Sequence, residues 1–303
     1  MKAKTLIVVL GPTGIGKTSL AIKLAQHYQT SIISADSRQF YKEMSIGTAV
    51  PTKEELQAVA HYFIQHKSIV ESYTVGDFER EALAVLHDLF ETNDIVLMAG
   101  GSGLFIDAVV RGLDTFPPID PEVRNTLKKE LEELGLPILQ ALLKELDPVY
   151  AAKVDLFNPQ RVIRALEVCL SSGKPYSSFL NKNKTTRPFK TIMLGMEAPK
   201  NILYQRINTR VDTMMAEGLL NEVKGLIGHK HLNALQTVGY KELFRYLDGD
   251  CSLDDAVEEI KKNTRRFAKR QGTWFRRGQD IVWVAYDLPC NAIIEILSDK
   301  LML

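Results

Sequence analysis

The residues with the clearest chemical signature lie near the N-terminus, in a glycine-rich segment from residue 11 to residue 18. Its sequence, Gly-Pro-Thr-Gly-Ile-Gly-Lys-Thr, has the spacing G-x-x-x-x-G-K-[ST]. The apolar run Leu6–Leu10 precedes it, and a helix-forming stretch, Ser19–Gln29, follows it. Strand, glycine loop and helix are the context in which this spacing forms a phosphate-binding loop. The sequence therefore predicts that this segment holds a di- or triphosphate.

Each residue type in this loop has a physical task. Glycines let the backbone turn tightly so that N–H groups point inward, and the N-terminus of the next helix adds partial positive charge. Lys17 is placed to reach the outer phosphates, and the Thr18 hydroxyl is placed to ligate Mg²⁺. A glycine-rich turn that merely begins a helix is the alternative. The expected diphosphate-binding residues are Gly11, Pro12, Thr13, Gly14, Ile15, Gly16, Lys17 and Thr18.

An acidic residue follows the next β-branched run. Asp36 comes just past the run Ser31–Ser34, after Ala35. Ligands of open parallel sheets bind at the carboxyl ends of the strands, so Asp36 is expected at the same edge as the phosphate loop. A carboxylate there can act as a general base toward a nucleophile that faces the bound phosphate. It can equally cap the next helix, and the residues alone do not decide between the two roles.

The run Ile95–Met98 ends differently from the corresponding strand of an ATPase. A P-loop ATPase carries an Asp there to hold Mg²⁺, whereas this run continues as Ala-Gly-Gly-Ser-Gly. Glycines permit close approach of the backbone, and Ser102 supplies a hydroxyl at the start of a predicted helix. This pattern argues against an ATP-hydrolysing motor and for a second phosphate or leaving-oxygen contact. A plain helix cap is compatible with the same residue.

Two groups of cations lie far from the loop in sequence. Arg161 and Arg164, near the start of a helix that Asn158 caps, are three residues apart and share one face. A solvated face paired with Glu167 is the alternative. The segment Lys261–Arg277 is basic, contains no acid and interleaves aromatic residues. In a chain with a formal net charge of +1, that concentration indicates a polyanion partner or, alternatively, a solvated helix face.

Alternation of strands and amphipathic helices sets the expected fold. It predicts an α/β fold, in which a P-loop NTPase-like parallel sheet is flanked by helices. A helix is expected near Asp77–Phe90, between the second and third strands. The candidate strands are Thr5–Leu10, Ser31–Ser34, Ile95–Met98, Thr191–Met196 and Ile281–Ala285.

The pattern becomes purely helical after Gly112, with breaks at Gly135-Leu136-Pro137 and Asp147-Pro148. This indicates an all-helical insertion domain. Residues 1–115 are expected to form the first part of the P-loop catalytic core, 116–187 the insertion, and 188–303 the second part of the core with C-terminal helices.

Composition and cysteine spacing exclude several classes of protein. The chain has 303 residues, and no segment approaches the roughly 20 apolar residues that span a bilayer. Cys169, Cys251 and Cys290 are scattered, without C-x-x-C spacing, so we expect reduced thiols and neither a disulfide framework nor a zinc site. These features predict a cytoplasmic protein without a membrane partner.

Together these motifs resemble the tRNA dimethylallyltransferase (tRNA isopentenyltransferase) family, nearly end to end. Any one motif except the phosphate loop would be weak, but jointly they are specific. The resemblance rests on residues 11–18, Asp36-Ser37-Arg38-Gln39 with Tyr41, Ile46-Gly47-Thr48-Ala49, Gly100-Gly101-Ser102-Gly103-Leu104, Asn158-Pro159-Gln160-Arg161 with Arg164-Ala165-Leu166-Glu167, Val238-Gly239-Tyr240, and Lys269-Arg270-Gln271 with Thr273-Trp274.

The resemblance implies transfer of a dimethylallyl group from dimethylallyl diphosphate to the exocyclic amine of the adenosine on the 3′ side of the anticodon. The tRNAs concerned would read codons that begin with U. Asp36 would accept the amine proton, and Lys17 and Arg210 would stabilise the leaving diphosphate. Thr18 would ligate Mg²⁺, the implied cofactor. Ser102, which stands where the family often has Thr, would contact the leaving group.

For tRNA, the resemblance implies an anticodon stem-loop clamped by the insertion and an enzyme that acts as a monomer. Phe105 stands where Tyr is frequent, which removes any role that needed the hydroxyl. An Arg210 paired with Asp212 or Glu217 on a helix surface is the alternative to its diphosphate role. The implied tRNA-binding residues are Asp36, Ser37, Arg38, Gln39, Ser102, Arg124, Gln160, Arg161, Val162, Ile163 and Arg164.

Three other functions compete with this interpretation. A P-loop kinase of nucleotides or small metabolites would hold ATP in the same loop and use Asp36 to activate a hydroxyl. A nucleotide-gated RNA-binding protein would leave Asp36 without a task. Adenylate isopentenyltransferase shares the chemistry but accepts a mononucleotide, and the long insertion with Arg161 and Arg164 favours tRNA.

Overall fold

The strands form one parallel sheet. The computed structural model describes residues 4–180, 186–278 and 280–302. In these residues the sheet has six strands in the order β3-β2-β4-β1-β5-β6, and every neighbouring pair is parallel. This confirms the predicted α/β class. The strands are β1 (Thr5–Leu10), β2 (Ile32–Ser34), β3 (His61–Tyr62), β4 (Ile95–Gly100), β5 (Lys190–Glu197) and β6 (Ile281–Ala285).

Helices flank this sheet and fill the long connections. Short 3₁₀ segments lie at Tyr176–Phe179, Ile227–His229 and Asn233–Leu235. The α-helices are α1 (Lys17–Tyr28), α2 (Lys53–Ala58), α3 (Val75–Thr92), α4 (Gly103–Arg111), α5 (Pro121–Leu134), α6 (Leu136–Leu146), α7 (Pro148–Ala151), α8 (Pro159–Ser172), α9 (Lys200–Ala216), α10 (Leu219–Gly225), α11 (Tyr240–Leu247), α12 (Leu253–Phe275) and α13 (Cys290–Met302).

The central strand explains the apolar run before the glycine loop. Every residue of β1 is buried. Ile7 and Val9 belong to one core cluster with residues of α1, and Leu6 and Val8 belong to a second cluster on the opposite face. A parallel strand covered on both faces needs apolar side chains at successive positions, so it reads as a continuous run.

The predicted elements are present, with two differences at the level of single elements. All five predicted strands are present, with ends within one or two residues of those expected, but β3 was not predicted. Its two residues, His61 and Tyr62, are partly exposed and carry no apolar alternation. The helix expected near Asp77 begins earlier, at Val75, because Thr74 and Asp77 form a reciprocal capping box.

The chain divides into two compact units. One comprises the residues up to Val110 and those from Arg187 onward, and it contains the whole sheet. The other is Arg111–Thr186, and its secondary structure in the described residues is helical. These junctions lie within five residues of the boundaries expected at 115/116 and 187/188.

The insertion has its own core and the predicted helix breaks. Leu127, Leu139, Leu143 and Leu166 are almost fully buried in one cluster. Gly135 ends α5 at a φ of 81°, and the carboxylate of Asp147 accepts from the N–H of Tyr150 to cap α7. The three cysteines are free. Across the described ranges, none of the helices is long and apolar enough to cross a membrane.

Candidate active site

The glycine loop connects the end of β1 to the start of α1. Gly16 precedes the first residue of α1 with a φ of 107°, a conformation that side chains rarely allow, and no side chain caps this helix end. The Nζ of Lys17 donates to the carbonyl oxygen of Pro12 at 2.9 Å, which ties the helix start back across the loop. The helix N-terminus and its N–H groups are therefore arranged for an anion.

The ammonium group of Lys17 sits in poorly hydrated surroundings. Burial lowers the pKa of Lys17 from 10.5 to about 8, the nearby Asp36 carboxylate raises it, and Arg210 lowers it further. A bound anion would favour the charged form of Lys17 and raise this pKa again, because opposite charges stabilise one another at short range. The electrostatics of the loop thus favour a negatively charged ligand.

Asp36 follows β2 at the same sheet edge. Its Oδ1 accepts from the backbone N–H of Arg38 at 3.0 Å, within a local turn. The next helix, α2, begins at Lys53 and is capped by Thr52. Asp36 therefore caps no α-helix, which removes the alternative role that the sequence left open.

The glycine-rich end of β4 packs directly against the segment that carries Asp36. A Cβ atom at Gly100 would stand 2.2 Å from the carbonyl oxygen of Ala35, so only glycine fits. This approach lets the N–H of Ser37 donate to Ser102 Oγ at 3.0 Å, and Ser102 Oγ lies 3.1 Å from Ser37 Oγ. These contacts hold the Ser102 hydroxyl beside Asp36, and both residues line the same cavity.

Arg210 reaches the same place from α9. Burial lowers the pKa of its guanidinium, and Asp36 raises it. Asp212, one of the partners considered for Arg210, instead forms a 2.8 Å ion pair with Lys261. Asp212 is therefore paired with Lys261, and the electrostatic neighbours of Arg210 are Asp36 and Lys17.

Three adjoining cavities meet at these residues. The inner cavity, of about 600 Å³, and a narrow cavity of about 60 Å³ are both lined by Asp36. Lys17 and Thr18 line the narrow cavity and an outer cavity of about 940 Å³. Arg210 lines all three. A carboxylate and two cations at this junction can hold an anionic group and accept a proton beside it.

The junction offers two oxygen donors that are compatible with Mg²⁺. Within the described residues, no group of three or more His, Cys, Asp or Glu side chains is arranged to hold a metal. Thr18 and Asp36, however, both line the narrow cavity. Mg²⁺ is commonly held by one or two protein oxygens together with substrate phosphates and water. The residues therefore fit Mg²⁺ that is bound with a diphosphate.

The segment after Asp36 was expected to face RNA, and two of its side chains have internal partners. Arg38 Nη1 donates to the carbonyl oxygens of Asn233 and Ala234, at 3.0 and 3.1 Å. Gln39 Nε2 donates to two carbonyl oxygens of the loop at residues 48 and 49. Ser37 and Arg38 line the inner cavity, whereas Gln39 lines the narrow one.

Sequence reasoning missed a carboxylate that shapes the inner cavity. Glu222 accepts from three successive backbone N–H groups, those of Ser45, Ile46 and Gly47, at 2.8 to 3.0 Å. The hydroxyl of Tyr240 also donates to it, at 2.6 Å. Gly47 and Tyr240 lie in motifs noted in the sequence, but nothing local marks Glu222, which is more than 170 residues away from the loop it binds.

The basic segment of α12 has two different parts. Toward its start, Lys261 pairs with Asp212 and Glu258, and Lys262 pairs with Glu259. Farther along, Asn263, Thr264, Phe267 and Arg270 line the inner cavity, with the Arg270 guanidinium 5.7 Å from the centre of the Phe267 ring. Only the second part therefore borders the site.

The insertion presents Gln160, Arg161 and Arg164 on its surface. Arg164 and Arg124 both contact Glu167, at 3.5 and 3.3 Å, and the Glu167 side chain is only 1% exposed.

Val162 and Ile163 instead pack inside the insertion. Because their side chains are buried, we assign them a packing role in place of the RNA contact expected from the sequence.

Comparisons of sequence agree with one another. The model of the IPP transferase family matches residues 39–278. A tRNA dimethylallyltransferase from Flavobacterium johnsoniae is 56% identical, and the match covers 98% of each chain. A tRNA dimethylallyltransferase 1 from Bacteroides thetaiotaomicron is 48% identical, over 92% of this chain and 91% of the other.

Solved structures with a similar fold carry related descriptions. The full-length tRNA isopentenylpyrophosphate transferase of Bacillus halodurans superposes with a TM-score of 0.73 and 34% identity, covering 99% of this chain and 97% of that one. A eukaryotic dimethylallyltransferase acting on tRNA superposes with a TM-score of 0.82 and 28% identity, over 99% of this chain and 80% of that one.

Proposed function

The chain belongs to the IPP transferase family, and we propose that it transfers a dimethylallyl group from dimethylallyl diphosphate to an adenosine of tRNA. The acceptor atom is the exocyclic amine of the adenosine next to the anticodon on its 3′ side. One observation carries the proposal: a phosphate loop and a carboxylate meet at one junction, between a cavity of about 600 Å³ and an outer opening.

The diphosphate of the donor occupies the loop. The backbone N–H groups at the start of α1, Lys17 and Arg210 supply positive charge where the leaving diphosphate develops negative charge. Since the surroundings of Lys17 are poorly hydrated, its interaction with the leaving group is screened less than it would be in water. The Ser102 hydroxyl, held by Ser37, offers a further hydrogen bond to the leaving oxygen.

The amine of the adenosine enters the inner cavity and faces Asp36. A bond forms between the amine nitrogen and the donor carbon while the carbon–oxygen bond to the diphosphate breaks. Asp36 accepts the proton that the amine loses, so the products are the alkylated adenosine and the free diphosphate. The hydrogen bond from the N–H of Arg38 keeps this carboxylate in place.

Mg²⁺ is the cofactor that we propose. Thr18, with Asp36 close by, would hold the cation together with the diphosphate, and the cation would neutralise part of the diphosphate charge.

The insertion supplies an RNA-binding face. Arg161 and Arg164 are exposed on α8, and Arg164 shares the buried Glu167 with Arg124 of α5. Exposed cations suit the phosphates of an anticodon stem, whose binding releases counterions. The target base must leave its stack to enter a cavity, at a cost of a few kcal/mol.

A transfer assay tests the proposal. The protein is incubated with dimethylallyl diphosphate, Mg²⁺ and tRNA that lacks the modification, and the nucleosides are then analysed by mass spectrometry. We expect adenosine in which one amine hydrogen is replaced by a dimethylallyl group. The absence of this product with folded protein would contradict the proposal.

The same assay with ATP added separates the kinase alternative. Because β4 ends in Ala-Gly and not in an acid, the site lacks the carboxylate with which P-loop ATPases hold Mg²⁺. We expect ATP to remain intact during dimethylallyl transfer. ADP formed in step with a phosphorylated product would establish the kinase function instead.

A further inference from the structure

Gln271, near the end of α12, joins two parts of the site that are far apart in sequence. Its Oε1 accepts from the N–H of Thr13 in the phosphate loop, at 2.9 Å. Its Nε2 donates to the carbonyl oxygen of Gly101, after β4, also at 2.9 Å. The side chain is almost fully buried, so both amide atoms exchange water for these two partners. Buried hydrogen bonds of this kind fix geometry, since breaking one leaves a polar group unpaired.

The space around this bridge is closely fitted. A Cβ atom at Gly101 would stand 2.3 Å from Gln271 Nε2. The glycine therefore admits the amide group, and any side chain at that position would displace it. Thr13 is the third residue of the phosphate loop, so the bridge sets where the loop lies relative to the end of β4.

The helix that carries Gln271 also borders the inner cavity. Asn263, Phe267 and Arg270 line this cavity, at spacings of four and seven residues that place them on one face of α12 with Gln271. The helix is anchored on both sides of the bridge. Arg265 donates to Asn208 at 2.7 Å, and Trp274 donates to Asp107 at 2.9 Å.

We infer that Gln271 is a positioning residue for the phosphate loop and that it links this loop to the helix that lines the inner cavity. The inference rests on the proposed function, which assigns the diphosphate to the loop and the RNA to the cavity. Because α12 contacts both regions, RNA bound against Phe267 and Arg270 acts on the loop through Gln271. Such coupling is reciprocal, so each ligand changes the affinity of the other by the same factor.

The first test measures the affinity for inorganic pyrophosphate with Mg²⁺, by calorimetry on the full chain. Gln271→Met preserves length but loses both hydrogen bonds, and we expect the Kd to rise about tenfold. The matched control is Gln140→Met, which loses one amide hydrogen bond to the carbonyl oxygen of Leu156 in the insertion. The control should bind as the wild type does. An unchanged Kd for Gln271→Met, or equal rises in both variants, would overturn the inference.

A second variant keeps the test valid if Gln271→Met folds poorly. Gly101→Ala pushes the flexible end of Gln271 aside, so it should raise the Kd for pyrophosphate by a similar factor. Combining the two substitutions should add little, because the bridge is already broken in each. Full additivity in the double variant would contradict an interaction between these residues.

The link to the cavity is tested by repeating the titration in the presence of unmodified tRNA. In the wild type, tRNA should change the Kd for pyrophosphate at least about fivefold, the lower end of the usual range of coupling energies. In Gln271→Met this factor should approach one. An equal factor in both proteins, or no change in the wild type, would show that the link does not run through Gln271.

Failure here is distinguishable from failure of the proposed function. Wild-type protein that modifies tRNA while Gln271→Met keeps full pyrophosphate affinity would refute the inference alone. Wild-type protein that modifies no tRNA would refute the function.

Discussion

The core and the insertion use cations in two different ways. At the junction of the core, Lys17 and Arg210 lie in surroundings that lower their pKa values by burial, with Asp36 nearby. In the insertion, Arg124 and Arg164 keep nearly half of their side-chain surface in water and share the buried Glu167. Poorly hydrated cations interact strongly with a ligand, whereas exposed ones are screened by water and salt.

This difference predicts which properties each region controls. Charges in poorly hydrated surroundings can stabilise a transition state, because little solvent has to reorganise around them. Exposed charges add affinity for a polyanion and little else, and several of them share the task. The following substitutions therefore probe chemistry in the core and binding in the insertion, beginning with the largest expected effect.

The strongest test in the core removes the proposed base. Asp36→Asn keeps an oxygen that can accept from the N–H of Arg38, so the local turn is preserved. Without a carboxylate the amine proton has no acceptor, and we expect the single-turnover rate constant to fall about 10²- to 10⁴-fold. Affinity for tRNA, measured by filter binding, should change little. A rate constant within a factor of about three of the wild type would refute the assignment of Asp36 as the base.

Removing the loop cation should have the next largest effect. Lys17→Ala leaves part of the leaving-group charge unmet, and we expect transfer to slow about 10²- to 10³-fold, with weaker pyrophosphate binding. Quenched-flow transfer assays and calorimetry measure the two effects. The exposed Lys23, six residues after Lys17 on α1, provides a charge-matched control as Lys23→Ala. Equal losses in both lysine variants would contradict a specific role for Lys17.

The lowered pKa of Lys17 predicts a pH dependence. In the free enzyme Lys17 is charged below about pH 8 and loses its charge above it. We therefore expect kcat/KM for the donor to fall above this pH, by up to about tenfold per unit. Lys17→Arg, whose side chain stays charged, should show no such fall. If kcat/KM falls equally at alkaline pH in both proteins, the fall is due to another ionisable group.

In the insertion, the expected effects are smaller and depend on salt. Replacing Arg161 and Arg164 together by Ala should weaken tRNA binding. The slope of log K against log salt concentration should become less steep by roughly 2. Pyrophosphate binding should stay intact. The control variant, Lys128→Ala with Lys129→Ala, removes the same charge from exposed positions of α5. If both double variants flatten the slope equally, the effect reflects net charge and not the α8 face.

The sequence predicted the core site better than the insertion, for physical reasons. The loop at residues 11–18 is contiguous, so its spacing alone specifies a phosphate site. Asp36 could be placed at the same edge because parallel strands end together, but only the structure excluded its role as a helix cap. The contact of Arg124 on α5 with Glu167, and the burial of Val162 and Ile163, depend on how the insertion packs.

Residues that act from a distance were the hardest to predict. Glu222 binds a loop more than 170 residues away, and Gln271 binds Thr13 and Gly101 from the far end of the chain. Gln271 lies in a motif that the sequence did reveal, yet no local pattern indicates what its amide contacts. Such contacts are set by tertiary packing, which periodicity and spacing do not encode.

The central claim is that the core performs the chemistry and the insertion binds the RNA. Single-turnover rates measured over a range of tRNA concentrations, for Asp36→Asn and for the double variant of Arg161 and Arg164, test it most directly. At saturating tRNA the arginine variant should recover a rate constant near that of the wild type, whereas Asp36→Asn should remain slow. If the arginine variant stays slow at saturation, or if tRNA excess restores Asp36→Asn, the division between the two regions is contradicted.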